Sequence, residues 1–399
     1  SKSNNLIKIV TGIRRSGKSF LLFNLFHNHL IETGISEDHI IEIALDDRLN
    51  KNLRDPDVIL QHIHERIVDD RLYYIILDEV QMIDEFTDVL NSLLHIRNAD
   101  VYVTGSNSKF LSKDVVTEFR GRGDEIHLFP LSFAELYNSI GGDKFELWKS
   151  YYTYGGLPGI LELDSEKKKA AYLRSLHETV YLKDIIERNN LKNSEEFMEL
   201  MRVMASCIGS PCNPSKLENT FKSVKNETLD RKTISKYLSY MEDAFLIEKS
   251  TRYDIKGRKY IGTLSKYYFQ DIGLRNALLN FRQVEENHIM ENVIYNELRL
   301  RGFCVDVGMV EARTAKERKQ LEVDFVANMA DRRYYIQSAF AMPDDDKREQ
   351  ESASLKRIDD SFKKIIIMRD DIKPYHDNNG FYIVGLMDFL LKPDLIEQL

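Results

Sequence analysis

The first 135 residues alternate short apolar runs with segments whose apolar positions recur every three or four residues. The runs predict β-strands, and the segments between them have the period of amphipathic helices. Because strands joined by helical crossovers pair in parallel, residues 1–135 are predicted to form an α/β sheet domain. The predicted strands lie near residues 6–10, 39–45, 73–77, 100–104 and 124–129.

Residues 136–192 change to a helical pattern, which a Gly-Gly-Leu-Pro break interrupts at residues 155–158. After the break, residues 170–187 predict one long amphipathic helix. We interpret this second segment, residues 136–192, as a helical lid that covers the ligand site of the sheet domain.

Residues 193–282 combine helical patterns with a pair of strand-like runs. The helices are predicted at 195–208, 213–224 and 230–245, and the strands at 246–250 and 267–269. Three helices and a β-hairpin predict a winged helix, with residues 233–240 in the second helix of a helix-turn-helix. Residues 213–260 hold eleven Lys or Arg against seven Asp or Glu. This mildly basic face leaves DNA contact and protein contact both open.

The last part, residues 283–399, returns to an α/β pattern with acids at defined places. Glu291 and Glu297 lie on a predicted helix, and Asp324 lies on a predicted strand. A helix acid, a strand Asp and a paired strand form the layout of metal-dependent nucleases. The third strand should carry a Lys, but Ala339 stands there, so no cation would stabilise a phosphorane. The acids are alternatively a solvated edge and a structural strand, and we expect no nuclease activity.

Composition and charge limit the classes of function. The 399 residues are 43% hydrophobic and 30% charged, which is typical of two or three folded domains. The net charge of −8 excludes binding of nucleic acid by overall charge, so any such contact needs a local patch. Three dispersed cysteines, no signal peptide and no long apolar run predict a cytoplasmic protein without membrane contact. The first predicted strand begins so early that we expect a shortened N terminus.

Residues 12–19 read Gly-Ile-Arg-Arg-Ser-Gly-Lys-Ser, a complete G-x-x-x-x-G-K-S phosphate loop. It lies between a predicted strand and a predicted helix, so main-chain N–H groups and the helix dipole would face a polyphosphate. Lys18 would contact the β- and γ-phosphates, and the Ser19 hydroxyl would bind Mg²⁺. The alternative is an ordinary glycine-rich turn. The predicted nucleotide-binding set is Gly12, Ile13, Arg14, Arg15, Ser16, Gly17, Lys18, Ser19 and Phe20.

A second motif, Tyr-Tyr-Ile-Ile-Leu-Asp-Glu, spans residues 73–79. A continuous apolar run that ends in acids is typical of a buried parallel strand. Asp78 is placed to hold Mg²⁺ through water, and Glu79 is placed to polarise an attacking water as a general base. The alternative is a strand followed by ordinary capping acids.

Polar side chains also follow the next predicted strand. Ser106 and Asn107 would hydrogen-bond the γ-phosphate or the water, or would cap the following helix, and both readings can hold. Farther along the chain, Arg120 and Arg122 lie on a glycine-flanked loop. Such an arginine suits reaching into a neighbouring active site, and the alternative is a solvated pair on a turn.

Taken together, these signatures resemble prokaryotic AAA+ ATPases that join a phosphate-loop module to a winged helix and a restriction-endonuclease-like domain. The matching motifs lie at residues 12–19, 77–79, 104–107, 121–122, 130–133, 155–158 and 322–325. The resemblance implies ATP and Mg²⁺ as cofactors, with Asp78 and Glu79 in metal binding and catalysis. It also implies a sensor at Ser106 or Asn107 and an arginine finger at Arg122. Members usually carry a helix before the first strand, and this sequence departs from them there.

Two functions are predicted. The first is an ATP-hydrolysing AAA+ machine, oligomeric with Arg122 acting in trans, that works on DNA or on a protein client. The second is a slow nucleotide-gated switch whose C-terminal part is an interaction scaffold. The expected fold is an α/β P-loop AAA+ core with a helical lid, a winged-helix domain (193–282) and a degenerate restriction-endonuclease-like domain (283–399).

Overall fold

The structure is a computed structural model that describes residues 6–105, 123–225, 229–313, 318–342 and 344–398. The chain divides into two compact units. The N-terminal unit comprises residues 1–130 and 243–245, and the C-terminal unit comprises residues 131–242 and 246–399.

A five-stranded sheet, parallel at every pairing, forms the centre of the N-terminal unit. Its strands are β1 (Ile7–Thr11), β2 (Ile40–Ala44), β3 (Tyr73–Asp78), β4 (Ala99–Thr104) and β5 (Gly123–His127). Their order across the sheet is β2-β3-β4-β1-β5, so β4 lies between β3 and β1. Every residue of β1 is buried, as expected for a strand covered on both faces. The predicted parallel α/β core is therefore confirmed.

Helical segments connect these strands. After β1, three helical stretches follow without a break: α1 (Lys18–Phe20), the wider π-type turns of Leu21–Phe26, and α2 (His27–Glu32). The others are Glu37–His39, Arg48–Arg54, α3 (Pro56–Arg66), Val80–Met82 and α4 (Phe86–Leu93). The start of α3 shows why its sequence is helical. Asp55 accepts from the N–H groups of Asp57 and Val58 at 3.0 and 3.1 Å, and Pro56 takes the first position.

The C-terminal unit starts with a series of helices. They are α5 (Phe133–Ile140), α6 (Lys144–Tyr154), Pro158–Ile160, α7 (Glu166–Leu176), His177–Leu182, α8 (Lys183–Asn189), α9 (Ser194–Ser206), α10 (Pro214–Lys225) and α11 (Arg231–Asp243). Later helices are α12 (Ile272–Leu278), α13 (Glu286–Leu300), α14 (Asp345–Ser352), Leu355–Arg357 and α15 (Leu386–Leu391). Within the described ranges, no helix is both long and apolar enough to cross a membrane.

An eight-stranded mixed sheet completes this unit. Its strands are β6 (Ile247–Asp254), β7 (Lys259–Phe269), β8 (Cys304–Arg313), β9 (Arg318–Met329), β10 (Arg332–Ala339), β11 (Lys363–Met368), β12 (Tyr375–His376) and β13 (Tyr382–Gly385), in the order β12-β13-β11-β10-β9-β8-β6-β7. The hairpin of β6 and β7 was assigned to the winged helix, and it joins the C-terminal strands because β6 pairs in parallel with β8. The winged-helix and nuclease-like assignments stay predictions.

The core of this unit includes the helices predicted as a lid. Phe133 of α5 and Trp148 of α6 are buried in the same apolar cluster as Tyr268 of β7 and Phe325 of β9. The helical segment thus packs as part of the C-terminal unit. Its role as a lid stays a prediction.

Candidate functional site

The phosphate loop leaves β1 and enters α1 directly. Gly12 has a φ of 138°, and a Cβ there would lie 2.2 Å from the carbonyl oxygen of Leu128, so a larger residue does not fit. Gly17, with a φ of 99°, precedes α1, and no side chain caps the helix there. Main-chain N–H groups at an uncapped helix start are the usual donors for a bound anion.

Lys18 is buried inside the loop. Its ammonium donates to the carbonyl oxygens of Gly12 at 2.9 Å and of Ile13 at 3.0 Å. In the same loop, the buried hydroxyl of Ser16 finds no hydrogen-bond partner among the described residues. A buried polar atom without a partner is rare in folded proteins. A phosphate oxygen would satisfy it, so the loop fits the predicted ligand.

The remaining loop residues have different exposures. Ile13 is buried in the core of the unit, so it can offer a ligand only its main chain. Arg15 is exposed and takes a left-handed backbone with a φ of 66°. Arg14 is half-buried, and the side chain of Phe20 is 58% exposed. The side chains of Arg15 and Phe20 are therefore accessible to a ligand.

Asp78, the last residue of β3, contacts both the loop and the neighbouring strand. One carboxylate oxygen accepts from the Ser19 hydroxyl at 2.7 Å, and the other accepts from the Thr104 hydroxyl. Burial raises the pKa of the Asp78 carboxyl, and the two hydroxyl bonds offset part of that rise. The carboxylates of Glu79 and Asp46 raise it further. A divalent cation would favour the ionised form, so this pair fits the predicted Mg²⁺ site.

Glu79 takes a strained backbone conformation. Its φ of 54° and ψ of 47° lie in the left-handed region, which costs a non-glycine residue about 1–3 kcal/mol. Its N–H donates to the Thr104 hydroxyl oxygen at 2.9 Å, and its carboxylate accepts from the amide of Gln81. Strain of this kind is typical of functional sites and persists only where neighbours hold it.

Thr104 and Gln81 were absent from the predicted site. Thr104 ends β4, the strand beside β3, and the carboxyl ends of parallel strands are where such sites form. That position is the signal that could have identified it. Gln81 lies in the short turn Val80–Met82, whose shape the sequence pattern does not specify.

The predicted sensor residues Ser106 and Asn107 lie outside the described residues, as do Arg120 and Arg122. Their roles as sensor and as finger therefore stay predictions.

The C-terminal acids also meet, but around an unpredicted partner. Glu291 of α13 and Asp324 of β9 lie at 2.8 and 3.8 Å from the ammonium of Lys266, which comes from β7. Ala339 is a buried core residue at the end of β10. Ala339 brings no cation to these acids, as expected, but Lys266, which the sequence pattern did not indicate, does. Glu297 does not join them, because it pairs with Arg301 at 2.7 Å.

The Gly-Gly-Leu-Pro break has a structural role. The buried carboxylate of Asp271 accepts from the Gly156 N–H at 2.8 Å and from the Leu274 N–H at 2.9 Å. A Cβ on Gly155 would lie 2.4 Å from that carboxylate. Burial raises the pKa of Asp271 to about 6, although main-chain donors oppose the rise. The break thus anchors the start of α12.

Comparison with known proteins extends this picture. Residues 4–137 match a family described as an AAA domain, and residues 145–285 match one described as a domain of unknown function, DUF8612. A Haemophilus influenzae protein, named only as uncharacterized, is 32% identical over 98% of this chain and 96% of its own length. The chain belongs to the family of this protein. The N-terminal unit of this chain carries a P-loop domain of the AAA+ type, as the sequence motifs indicated.

More distant similarities were also found. An uncharacterized Methanocaldococcus jannaschii protein is 29% identical over 89% of this chain and 79% of its own. The structure of the Aeropyrum pernix ORC1 protein in complex with DNA matches at 11% identity and a TM-score of 0.28, over 68% of this chain and 86% of that one. Cdc6p of Pyrobaculum aerophilum matches at 12% identity and a TM-score of 0.28, over 72% and 88%. These two structural likenesses are too weak to carry an argument about this chain.

Proposed function

We propose that the protein binds ATP with Mg²⁺ and hydrolyses it as an AAA+ ATPase. The observation that carries the proposal is the 2.7 Å contact between the Ser19 hydroxyl and the Asp78 carboxylate. In P-loop NTPases, a loop Ser or Thr and a strand-end Asp hold the Mg²⁺ together. The AAA-domain match over residues 4–137 supports the same class.

Each residue of the site has a distinct role in this proposal. Bound ATP and Mg²⁺ would supply an activated phosphoryl group. Lys18 would neutralise phosphate charge, and Ser19 with Asp78 would hold the metal ion. Glu79 would take the proton of the attacking water. Thr104 is a positioning residue in this scheme, because its hydroxyl bonds both the Asp78 carboxylate and the Glu79 main chain.

The active form is proposed to be a homo-oligomer in which an arginine acts across the subunit interface. In the sequence, Arg122 lies between Gly121 and Gly123, and Arg120 lies two positions earlier. An arginine finger supplied in trans raises turnover by about 10³–10⁵. We therefore expect turnover per subunit to rise with protein concentration.

The C-terminal unit is proposed to couple turnover to DNA or to a protein client. Lys232 and Lys236 are exposed on α11, the helix that a winged helix would present to DNA. By contrast, Lys222 and Arg231 both pair with Glu218, which reduces the positive charge that they offer. This balance keeps DNA and a protein client as the two proposed partners.

A cytoplasmic location belongs to the same proposal. Cys207, Cys212 and Cys304 are all free thiols, as expected in a reducing compartment.

The second candidate is a slow nucleotide-gated switch with a C-terminal scaffold. The bond from the Gln81 amide to the Glu79 carboxylate favours it. A carboxylate oxygen that accepts this hydrogen bond has less capacity left to accept one from an attacking water. Nucleotide would then bind and change partner affinity, while hydrolysis stays slow.

ATP turnover measured against protein concentration, with and without duplex DNA, tests these proposals. The ATPase proposal expects activity per subunit to rise with concentration, and added DNA should stimulate it if DNA is the partner. The switch expects tight binding and slow turnover at every concentration.

A mixing experiment tests the shared finger. Arg122→Ala keeps the phosphate loop, and Lys18→Ala keeps the finger, so mixed oligomers should regain activity that each variant lacks. Absence of recovery at every mixing ratio would remove the support for an arginine in trans.

A further inference from the structure

Four charged side chains meet inside the C-terminal unit and are called here the acid–lysine cluster: Lys266, Glu291, Glu322 and Asp324. The Lys266 ammonium lies 2.8 Å from an oxygen of Glu291, 2.8 Å from one of Glu322 and 3.8 Å from one of Asp324. The Lys266 side chain is only 3% exposed. One buried ammonium thus lies among three carboxylates.

We propose that the Lys266 ammonium is the resident cation of this cluster and takes the place that a divalent metal ion would occupy. Glu322 and Asp324 are two residues apart on β9, so both project from the same face of the strand. Glu291 approaches them from α13. Carboxylates gathered at a buried point need a positive charge among them, because desolvation and mutual repulsion oppose their ionisation.

Strand β7 holds Lys266 firmly in this position. Asn292 of α13 accepts from the Phe269 N–H at 2.7 Å and donates to the Phe269 carbonyl at 2.8 Å. The Tyr268 hydroxyl donates to Glu291 at 2.8 Å. These buried bonds tie the strand that carries Lys266 to the helix that carries Glu291. Moving the ammonium away would leave buried groups without partners.

The charges of the cluster favour a permanently protonated lysine. Burial by itself would lower the pKa of Lys266, but the three carboxylates outweigh burial and raise it. Asp324 has a second partner as well, since it accepts from the Ser338 N–H at 2.8 Å. With Lys266 in place, no three carboxylate, imidazole or thiolate groups among the described residues are positioned to hold a metal ion.

This cluster therefore differs from the layout predicted for a nuclease. In that layout, the acids hold a metal ion, and a lysine on the third strand stabilises the reacting phosphate. Here the lysine comes from the hairpin strand β7 and fills the centre of the acids. The acids then serve to fix β7 against α13 and β9, and the unit cuts no nucleic acid.

Binding of Mn²⁺ to nucleotide-free protein, counted by electron paramagnetic resonance, tests the proposal. Wild type and Asp324→Asn should bind the same number of ions, because Lys266 excludes metal from the cluster. Lys266→Met keeps an unbranched side chain, one heavy atom shorter and without the charge, and should gain one Mn²⁺ per chain. The double variant Lys266→Met/Asp324→Asn should lose that ion again. Lys256→Met is the matched control, since Lys256 forms an exposed pair with Asp359 and its loss should add no ion.

Two results would overturn the proposal. One is an Mn²⁺ ion that wild type binds and Asp324→Asn does not. Both proteins keep Lys266, so this result does not depend on how the Lys266 variant folds. The other is a Lys266→Met protein that keeps the wild-type circular dichroism spectrum and gains no ion. Supercoiled plasmid incubated with wild type in Mg²⁺ or Mn²⁺ should stay intact. Cleavage that disappears in Asp324→Asn would instead make Lys266 part of a working nuclease.

Discussion

Each unit contains a lysine buried in a polar site, Lys18 in the N-terminal unit and Lys266 in the C-terminal unit, and the two lysines have different partners. In the N-terminal unit, Lys18 donates to the carbonyl oxygens of Gly12 and Ile13, and these two bonds orient its charge without cancelling it. In the C-terminal unit, Lys266 lies among carboxylates that neutralise it. Lys18 is thus positioned to bind an incoming anion, whereas Lys266 stabilises the fold by pairing with buried carboxylates.

The comparison predicts that loss of Lys18 weakens nucleotide binding and that loss of Lys266 does not. Lys18→Ala should weaken the binding of a fluorescent ATP analogue by about 10²- to 10⁴-fold, because about two charge-assisted hydrogen bonds of about 1.5–3 kcal/mol each are lost. Lys266→Met should leave the affinity within about twofold of wild type. Equal affinity of Lys18→Ala and wild type would contradict the assignment of the phosphate loop.

The next largest effect concerns Glu79, the acid that directly follows β3 in the N-terminal unit. Glu79→Gln should bind ATP normally and hydrolyse it at least about a hundredfold more slowly, the usual scale for loss of a general base. Steady-state turnover at saturating ATP measures this. Glu85→Gln, an exposed acid nearby, serves as the control. Unchanged kcat in Glu79→Gln would mean that another group positions the water.

The third effect is that of Asp271, a buried carboxyl of the C-terminal unit whose protonation should change the free energy of unfolding. Its folded-state pKa of about 6 lies above its ordinary value of 3.8, so between those values the folded state binds more protons than the unfolded state. The free energy of unfolding should therefore fall as pH rises from about 4 to about 6, by up to about 3 kcal/mol from this group.

Urea unfolding across that pH range measures the effect, and Asp271→Asn should lack this part of the slope. Nucleotide affinity should not follow the titration of Asp271. Identical slopes in wild type and variant would show that the carboxyl titrates alike in both states.

The smallest effect expected is that of Thr104. Thr104→Val keeps the shape of the side chain but removes the hydroxyl that bonds Asp78 and Glu79. Turnover should fall about tenfold, as expected for the loss of two hydrogen bonds of about 0.7 kcal/mol each. Thr104→Ser should restore most of the loss. If valine and serine variants turn over equally, the hydroxyl does not position the acids.

Much of the N-terminal unit could be predicted because its information is local. The apolar runs gave five strands close to their final bounds, and the phosphate loop is a contiguous motif of eight residues. Asp78 was identifiable because it directly ends a buried strand. Thr104 was not, since its contact with Asp78 depends on β4 lying beside β3, an order that no single segment encodes.

The C-terminal unit shows where such prediction ends. The hairpin of β6 and β7 was expected where it occurs, but its pairing with β8 was not. Periodicity reveals which residues form a strand and says little about which strand lies next to it. The sequence showed that no lysine stands at position 339. It did not reveal that Lys266 of β7 approaches the same acids.

The sequence by itself therefore determined the phosphate loop, the strand-end acids and the parallel α/β core. These features depend on residues that are neighbours in the sequence and on short-range periodicity, and both can be recognised in the sequence alone. Only the tertiary structure decided that Thr104 holds Asp78 and that Lys266 fills the acid cluster. Lys266 and Glu291 are separated by 25 positions, and their contact arises from sheet order and from buried hydrogen bonds between strand and helix. Such contacts follow from packing the whole unit, because burial leaves each charge only the partners that the fold brings to it.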